Sequence, residues 1–364
     1  MKKSPGTEVL PTHTPVLFDA AVARAADLLR AGQLVALPTE TVYGLAANAL
    51  DARAVRRIYE AKGRPAHNPI IVHVNSRAMA RRCVRDWPDT AERLACAFWP
   101  GPLTLVLPRA DLIPQVVTAG GETVGVRWPS HPFIQAVIHA CGFPLAAPSA
   151  NRSTQVSPTT ARHVIAALAG RIRLVVDGGP CPVGIESTVL DLTVNPPRVL
   201  RPGMIHEESL QATLGKRGTR NAERGMRRSA LGERGTRKAE RAISDPAAGQ
   251  VKALRSPGLL PRHYSPRARL VLLRWANDAE LRAQLAKLSS SLRPVHIVAH
   301  TRIPSGEGFD QVSLMPHDPA AFARSLYAEL HRCDEAGAGL IVVEALPDTP
   351  EWRAISDRLR RAAT

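Results

Sequence analysis

The residues best suited to chemistry fall in the segment from Leu37 to Val74, LPTETVYGLAANALDARAVRRIYEAKGRPAHNPIIVHV. Threonines, a tyrosine, a histidine and a Lys-Gly-Arg-Pro turn lie there at the expected ends of strands and helices. Lys62 and Arg64 flank Gly63, and two cations beside flexible backbone N–H groups suit a polyphosphate ligand. A helix C-cap also explains Lys62 and Gly63, and for this turn taken alone it is the better explanation.

Further hydroxyl, amide and cationic groups follow predicted strands later in the chain. They lie in the stretches APSANRS (147–153), VSPTTARHV with Ser157, GIEST (184–188) and VLRPG with Arg201. Small polar residues at a strand end let a ligand approach the backbone closely, although each stretch is also compatible with ordinary turn chemistry. The sequence has no G-x-x-x-x-G-K-[ST] loop, so a bound phosphate would depend on groups such as these.

The elements that must position these groups form two units. From about Asp19 to Gly203, helical and strand-like segments alternate, and several strands follow one another late in this region, which predicts an α/β fold with a mixed sheet. Predicted helices run over 19–31, 51–63 and 90–99, and predicted strands include QLVALP, PIIVHV, LTLVLP, TVGVRW, RIRLVV, STVLDL and RVLR. From about Ala268, strand–helix alternation predicts a small Rossmann-like domain, and the absence of G-x-G-x-x-G leaves a dinucleotide role unsupported.

Bulk composition agrees with this organisation. A length of 364 residues allows two or three domains, and the net charge of +16 predicts attraction to polyanions such as RNA or nucleotides. The five cysteines are scattered without a C-x-x-C pair, which indicates free thiols in a reducing compartment. No segment approaches the length of a membrane span, so we expect a cytoplasmic protein.

A basic repeat separates the two units. GKRGTRNAERG begins at Gly215 and GERGTRKAERA begins at Gly232, and residues 215–255 hold 12 Lys and Arg against 4 acids. Because apolar residues are few, we expect this stretch to be disordered. A duplicated linker insertion is favoured over an RNA-binding arm, since a basic tract alone is weak evidence for RNA binding. Weak RNA contact through the basic repeat stays open as an alternative.

Taken together, eight motifs in order resemble the threonylcarbamoyl-AMP synthase family, the YrdC-like proteins, in its longer two-domain form. The motifs are PTETVYGL, KGRPAHNPIIVHV, FWPGPLTLVLP, VGVRWPSHP, APSANRS, DGG…GIESTVLDL, VLRPG and SPGLLPRHYSP. The resemblance implies a YrdC-like catalytic domain with a twisted, open mixed sheet over residues 15–205. A linker over 206–267 would hold the basic repeat and a lid segment (256–266), and the small Rossmann-like domain would span 268–364.

The resemblance also implies a reaction: L-threonine, bicarbonate and ATP give threonylcarbamoyl-AMP and pyrophosphate. Other proteins then transfer the threonylcarbamoyl group to the adenosine beside the tRNA anticodon. Magnesium would arrive with ATP, and neither an organic cofactor nor a protein-held metal is expected. By resemblance, threonine would bind Thr41, His73, Arg127 and Ser187. ATP would contact Lys62, Arg64, Asn68, Thr123, Ser149, Ser157, Arg201 and Tyr264, with Lys62 and Arg64 as the catalytic cations, while the role of Tyr43 is left open.

Some features depart from the family or leave alternatives. The family's usual linker motif S-P-G-M-K-Y-R-H-Y reads SPGLLPRHY here, so Leu260 and Pro261 replace a Lys and a Tyr. Glu40 and Glu186 are expected to be structural hydrogen-bond acceptors rather than general bases. A carbamoyltransferase maturation factor is disfavoured because the chain has no C-x-x-C. The alternative from another class is a non-catalytic RNA-binding protein that uses the basic concave face of the sheet that the resemblance implies.

Overall fold

The computed structural model describes residues 6–215, 263–288, 293–305 and 309–363. Apart from Gly215, the predicted basic repeat lies outside the described residues, and so do residues 256–262 of the lid segment with Leu260 and Pro261. The expected disorder of the repeat therefore stays a prediction.

A mixed sheet of ten strands organises the first part of the described chain. The strands are β1 (Glu8–Pro11), β2 (Val35–Leu37), β3 (Gly44–Asn48), β4 (Val72–His73), β5 (Leu103–Pro108), β6 (Thr123–Arg127), β7 (Leu145–Ala146), β8 (Leu174–Asp177), β9 (Thr188–Asp191) and β10 (Arg198–Arg201). They lie in the order β1-β8-β2-β3-β7-β4-β6-β5-β9-β10, with parallel and antiparallel neighbours interspersed. The predicted mixed α/β sheet is confirmed.

Helices cover both faces of this sheet. They are α1 (Pro15–Arg30), α2 (Ala52–Lys62), α3 (Arg77–Cys83), α4 (Asp89–Phe98), α5 (Pro132–Cys141), α6 (Ala161–Leu168) and α7 (Glu207–Gly215). Buried residues of α2, α4 and α6 pack in one hydrophobic cluster, and those of α1 and α5 pack in a second. The site loops are therefore carried on a sheet that is held from both sides.

The caps of α2 explain why this helix presents a basic turn at its end. The Asp51 carboxylate accepts hydrogen bonds from the N–H groups of Arg53 and Ala54, and Gly63 ends the helix in the left-handed conformation with φ 61°. Both caps agree with the prediction. Lys62, in the last turn, is buried and faces inward rather than toward solvent.

The predicted strand over PIIVHV is shorter in the structure. Regular pairing is confined to Val72 and His73. Pro69 has no N–H to donate to a ladder, and the Ile70 N–H donates instead to the carbonyl of Val117. The short strand is enough to fix His73 beside its neighbour on β6.

The second part of the described chain forms a parallel sheet of four strands. It comprises β11 (Arg269–Leu273), α8 (Asp278–Ala286), β12 (Val295–Ala299), β13 (Gln311–Leu314), α9 (Pro319–Glu335), β14 (Leu340–Glu344), a 3₁₀ turn at Pro350–Trp352 and α10 (Arg353–Ala362). The strand order is β11-β14-β12-β13. This confirms the small strand–helix unit. Of the helices within the described ranges, none combines the length and apolar character needed to cross a membrane.

The two parts pack closely beside the polar motifs. One hydrophobic cluster includes Val42 and Ile185 of the first part together with Phe322 and Tyr327 of α9. Gly184 allows the contact: its φ is +84°, and a Cβ there would lie 2.4 Å from the Cα of Arg324. The position therefore requires glycine for both its backbone conformation and its packing.

This close approach generates a stability prediction. Gly184→Ala should lower the free energy of unfolding by more than Gly142→Ala, although both glycines have positive φ and each substitution has a backbone cost of roughly 1–2 kcal/mol. A Cβ at Gly142 meets no atom within 4 Å, so this variant isolates the backbone cost. Chemical denaturation measures the free energies, and limited proteolysis should show the second part cleaved faster only in Gly184→Ala. Equal effects of the two substitutions would contradict the packing argument.

Candidate active site

Most of the polar motifs meet around one cavity beside the first sheet. Loops that follow β2 and β7 form part of its wall, and their backbones are bonded to each other. The Leu45 N–H donates to the Pro148 carbonyl (2.7 Å), and the Ala150 N–H donates to the Tyr43 carbonyl (2.8 Å). The Tyr43 side chain points away from the cavity, since its hydroxyl donates to the Gly179 carbonyl at 2.7 Å. Tyr43 therefore has a structural role in holding this loop.

Arg127 and Glu40 form a buried ion pair on one side of the cavity. Nη2 of Arg127 lies 2.7 Å from Oε1 of Glu40, and both side chains are at most 5% exposed. Arg127 also donates from Nη1 to the Thr41 hydroxyl (2.9 Å), and Glu40 accepts the Ser130 N–H (3.0 Å). Burial alone would raise the pKa of Glu40, but the Arg127 guanidinium and these hydrogen bonds hold it below its ordinary value.

His73 lies beside Arg127 because β4 and β6 are parallel neighbours with these two residues in register. Burial, reinforced by the Arg127 charge, lowers the pKa of His73 well below its ordinary value. The imidazole is therefore neutral at neutral pH. Its Nδ1 is buried without a hydrogen-bond partner among the described residues, and the residue lines the cavity.

Ser187 connects this side of the cavity to Arg201. Its hydroxyl is 2.8 Å from the Thr104 hydroxyl, and both its carbonyl and its hydroxyl accept hydrogen bonds from the Arg201 guanidinium at 3.0–3.1 Å. Ser187 immediately precedes β9 and Arg201 ends β10, so the antiparallel pairing of these strands brings them together.

On the other side of the cavity, two cations are held by neutral oxygens. Arg64 donates to the carbonyl of Asn68 (3.0 Å), to its side-chain oxygen (2.7 Å) and to the carbonyl of Pro69 (2.7 Å). Lys62 donates to the carbonyls of Ser149 and Asn151. Burial lowers the pKa of Arg64 to about 10, and burial with the Arg64 charge lowers that of Lys62 well below its ordinary value. An anionic ligand would stabilise the charged forms of Lys62 and Arg64.

Glu186 and Tyr264 close the remaining wall. Glu186 accepts the Ser157 hydroxyl at 2.6 Å and the Arg358 Nε–H at 2.9 Å. Burial alone would raise its pKa, but Arg358 and Arg201 lower it to about 2. Tyr264, from the described part of the lid segment, is buried with its hydroxyl unpartnered among the described residues.

The structure groups most, but not all, of the sequence-predicted site residues. The cavity wall includes Thr41, Arg64, His73, Arg127, Ser149, Ser187, Arg201 and Tyr264. Lys62, Asn68 and Ser157 lie behind the wall, each bonded to a residue that lines it. Thr123, at the start of β6, lines a small neighbouring cavity that shares Ile71 with the main one.

Two residues that the sequence analysis missed come from the second part of the chain. Arg358 of α10 and Tyr327 of α9 both bond to the Glu186 carboxylate. The sequence does not single them out. Arg358 lies in a basic, amphipathic helix, where nothing in the sequence distinguishes it from the exposed arginines Arg353 and Arg360. Glu40 and Glu186, by contrast, accept hydrogen bonds from fixed donors, as the sequence analysis expects.

Comparison with known proteins extends this picture. A family model described as "Telomere recombination" (Sua5_yciO_yrdC) matches residues 27–203, and one described as "Threonylcarbamoyl-AMP synthase, C-terminal domain" matches residues 205–364. The chain is 37% identical to the threonylcarbamoyl-AMP synthase of Pyrococcus abyssi, over 93% of each protein. It is 38% identical to that of Bacillus subtilis, over 95% of this chain and 93% of the relative.

A solved structure agrees with the sequence comparisons. The crystal structure of P. abyssi Sua5 complexed with L-threonine superimposes with a TM-score of 0.81 at 36% identity. The match covers 98% of this chain and 97% of the other. Both parts of the chain and their relative placement are therefore shared with that protein.

The buried histidine next to Tyr264 generates a pH prediction. Burial and the nearby Arg64, Lys62 and Arg201 charges lower the pKa of His263 to about 3, although Glu186 opposes them. In the unfolded chain this histidine takes up a proton near pH 6.5, so the folded state loses stability as pH falls from 6.5 toward 3. Between pH 6 and 4.5 the stability advantage of the parent over His263→Asn should shrink by about 2 kcal/mol.

Chemical denaturation of both proteins across pH measures this difference. Above pH 7.5 the two stability curves should run parallel, because His263 is neutral in both the folded and the unfolded state. A difference that stays constant down to pH 4.5 would show that His263 takes up its proton in the folded protein as readily as in the unfolded one.

Proposed function

The chain belongs to the threonylcarbamoyl-AMP synthase family, and we propose that it converts L-threonine, bicarbonate and ATP into threonylcarbamoyl-AMP and pyrophosphate. The observation that carries the proposal is a single cavity with two different sides. One side pairs Arg127 with a carboxylate and a neutral histidine, and the other presents Arg64 held by neutral oxygens. An amino acid and a nucleotide need these two environments next to each other.

Threonine would occupy the side formed by Thr41, His73, Arg127 and Ser187. The planar Arg127 guanidinium suits a carboxylate, and its orientation is already fixed by Thr41 and Glu40. The neutral His73 imidazole would contact the substrate without adding a second charge beside Arg127. The P. abyssi protein was crystallised with L-threonine, which supports an amino-acid site in this fold.

ATP would occupy the other side. Arg64, Arg201, Ser149 and Tyr264 line the cavity there. From behind the wall, Lys62 bonds to Ser149, Asn68 bonds to Arg64, and Ser157 bonds to Glu186 of the same wall. Thr123 would have to contact ATP through the small neighbouring cavity. Lys62 and Arg64 would act as catalytic cations, since transfer at phosphorus depends mainly on positioning and charge neutralisation.

The chemistry then follows from the placement of the two substrates. The neutral threonine amine attacks the carbon of CO₂ or bicarbonate and forms a carbamate anion; with CO₂ the amine nitrogen loses a proton, and with bicarbonate water leaves. A carbamate oxygen attacks the α-phosphorus of ATP, and pyrophosphate departs with the electron pair of the broken P–O bond. Threonylcarbamoyl-AMP would pass to proteins that transfer its acyl group to the tRNA adenosine beside the anticodon.

Magnesium enters the proposal as part of the bound nucleotide. Within the described ranges, no group of three or more His, Cys, Asp or Glu side chains could hold a metal ion. Glu186, an acid of the cavity wall, is already bonded to Ser157, Tyr327 and Arg358. Mg²⁺ commonly keeps several waters and binds substrate phosphates, so it would offset phosphate charge with ATP oxygens as its main ligands.

The first functional prediction concerns the substrates. Purified protein with Mg²⁺, ATP, bicarbonate and L-threonine should release pyrophosphate, and omission of threonine or bicarbonate should abolish the release. Serine lacks one methyl contact, so its kcat/KM should be about tenfold lower. Release of phosphate, or turnover that ignores threonine, would contradict the proposed reaction, whereas no turnover at all would favour the alternative of a non-catalytic protein that binds RNA.

The second functional prediction separates the two sides of the cavity. Arg127→Lys should raise the KM for threonine about tenfold or more, because one ammonium cannot reproduce a planar guanidinium contact worth about 1.5–3 kcal/mol. Arg64→Lys should raise the KM for ATP by a similar factor and leave that for threonine nearly unchanged. At position 127, lysine is preferred to alanine because alanine would leave the buried Glu40 carboxylate without its counter-charge.

The matched control is Arg173→Ala, which removes an exposed arginine outside the cavity wall. Steady-state kinetics with each substrate varied in turn gives the four Michaelis constants. If both lysine variants matched the control, Arg64 and Arg127 would be removed from the substrate contacts. If each variant affected both substrates equally, the division of the cavity would be wrong.

A further inference from the structure

Arg358 of α10 and Tyr327 of α9 reach the cavity from the second part of the chain without lining it. The Arg358 side chain is fully buried, and so is Tyr327. Several other polar contacts between the two parts involve exposed side chains, such as the ion pair between Arg353 and Glu207 and the bond from Arg324 to the Pro182 carbonyl. Arg358 and Tyr327 differ from these contacts because they are buried and bond to a residue of the cavity wall.

The first connection runs through Glu186. Its Oε2 accepts hydrogen bonds from Arg358 Nε (2.9 Å) and from the Tyr327 hydroxyl (3.0 Å). Arg358 Nη2 also donates to the Glu186 carbonyl at 3.3 Å. The other carboxylate oxygen accepts the Ser157 hydroxyl at 2.6 Å. The second part of the chain thus fixes the orientation of a carboxylate that in turn holds Ser157.

The second connection runs through Tyr264. The Arg358 guanidinium carbon lies 5.3 Å from the centroid of its ring, and the Tyr327 ring stacks on it at 5.9 Å with an angle of 26°. Tyr264 has a φ of +62°, a conformation that a bulky side chain adopts only when its surroundings hold it there. Arg358 and Tyr327 supply part of that support.

We propose that Arg358 and Tyr327 are positioning residues for the nucleotide, which orient Glu186 and Tyr264 and thereby shape the ATP side of the cavity. The inference rests on the proposed function, which assigns Ser157 and Tyr264 to ATP. It gives the second part of the chain a role in substrate binding, since the ATP side is incomplete without these two side chains. A buried ion pair adds little net stability, so simple attachment of the two parts would not explain it.

The arrangement predicts an effect confined to one substrate. Neither Arg358 nor Tyr327 bonds to His73, Arg127 or Thr41, which form the proposed threonine side. A loss of either positioning residue should therefore weaken ATP binding and spare threonine. A purely structural role would lower the melting temperature without this separation.

The test uses the full-length protein with Tyr327→Phe, Arg358→Lys and the control Arg324→Ala. Tyr327→Phe keeps the ring and removes one hydroxyl, so it is the variant expected to fold normally. ATP affinity is measured by titration calorimetry without turnover, and both Michaelis constants come from pyrophosphate release. We expect Tyr327→Phe and Arg358→Lys to weaken ATP binding about tenfold, with the threonine KM within twofold of the parent. Arg324→Ala should change neither constant.

A double-mutant cycle tests whether the effect passes through Glu186. Glu186→Gln combined with Arg358→Lys should weaken ATP binding by less than the sum of the two single losses, because residues of one network are not additive. Additive losses would overturn the proposal. Positioning variants that melt like the parent and bind ATP normally would also overturn it, and so would a control Arg324→Ala that weakens ATP binding about tenfold. If the parent released no pyrophosphate, the proposed function would fail, whereas calorimetry would still decide the positioning role.

Discussion

The burial of positive charge is the constraint on which this site depends. Lys62, Arg64, Arg127, Arg201 and Arg358 are each at most 8% exposed. Removing an ion from water costs several kcal/mol even after the protein relaxes, so each cation needs fixed oxygen partners. The loops of the site provide them as backbone carbonyls, side-chain amide oxygens and carboxylates. The shape of these loops is therefore determined as much by the cations as by any ligand.

The kind of partner differs between the two sides, and the difference matches the charges of the proposed substrates. Arg127 is balanced by the Glu40 carboxylate, whereas Lys62 and Arg64 are held by neutral oxygens. The amino-acid side is consequently near neutrality, which suits a zwitterion. The nucleotide side keeps its positive charge, which suits a polyphosphate, and because its donors are fixed beforehand little reorganisation is needed when the ligand arrives.

Local sequence patterns predicted the elements that begin and end at recognisable capping residues. Asp51 and Gly63 bound α2 as expected, because both caps act within one turn of the chain. β1 was missed because it lies in a stretch rich in polar residues and proline, and its pairing with β8 joins residues far apart in sequence. The hydrogen bonds from Arg358 and Tyr327 to Glu186 were missed for the same reason. They join residues 172 and 141 positions apart, and local sequence patterns carry no information about contacts over such distances. Motif order placed most of the cavity residues, but only the strand register puts His73 beside Arg127.

The curvature of the sheet follows from where the site residues come together. The loop after β2 and the residue before β9 both line the cavity, although six strand spacings separate β2 from β9 in the sheet order. In a flat sheet that separation would be roughly 29 Å. Thr41 nevertheless bonds to Arg127 on β6, and Ser187 bonds to Thr104 on β5. The sheet must therefore twist and curl to bring these ends together.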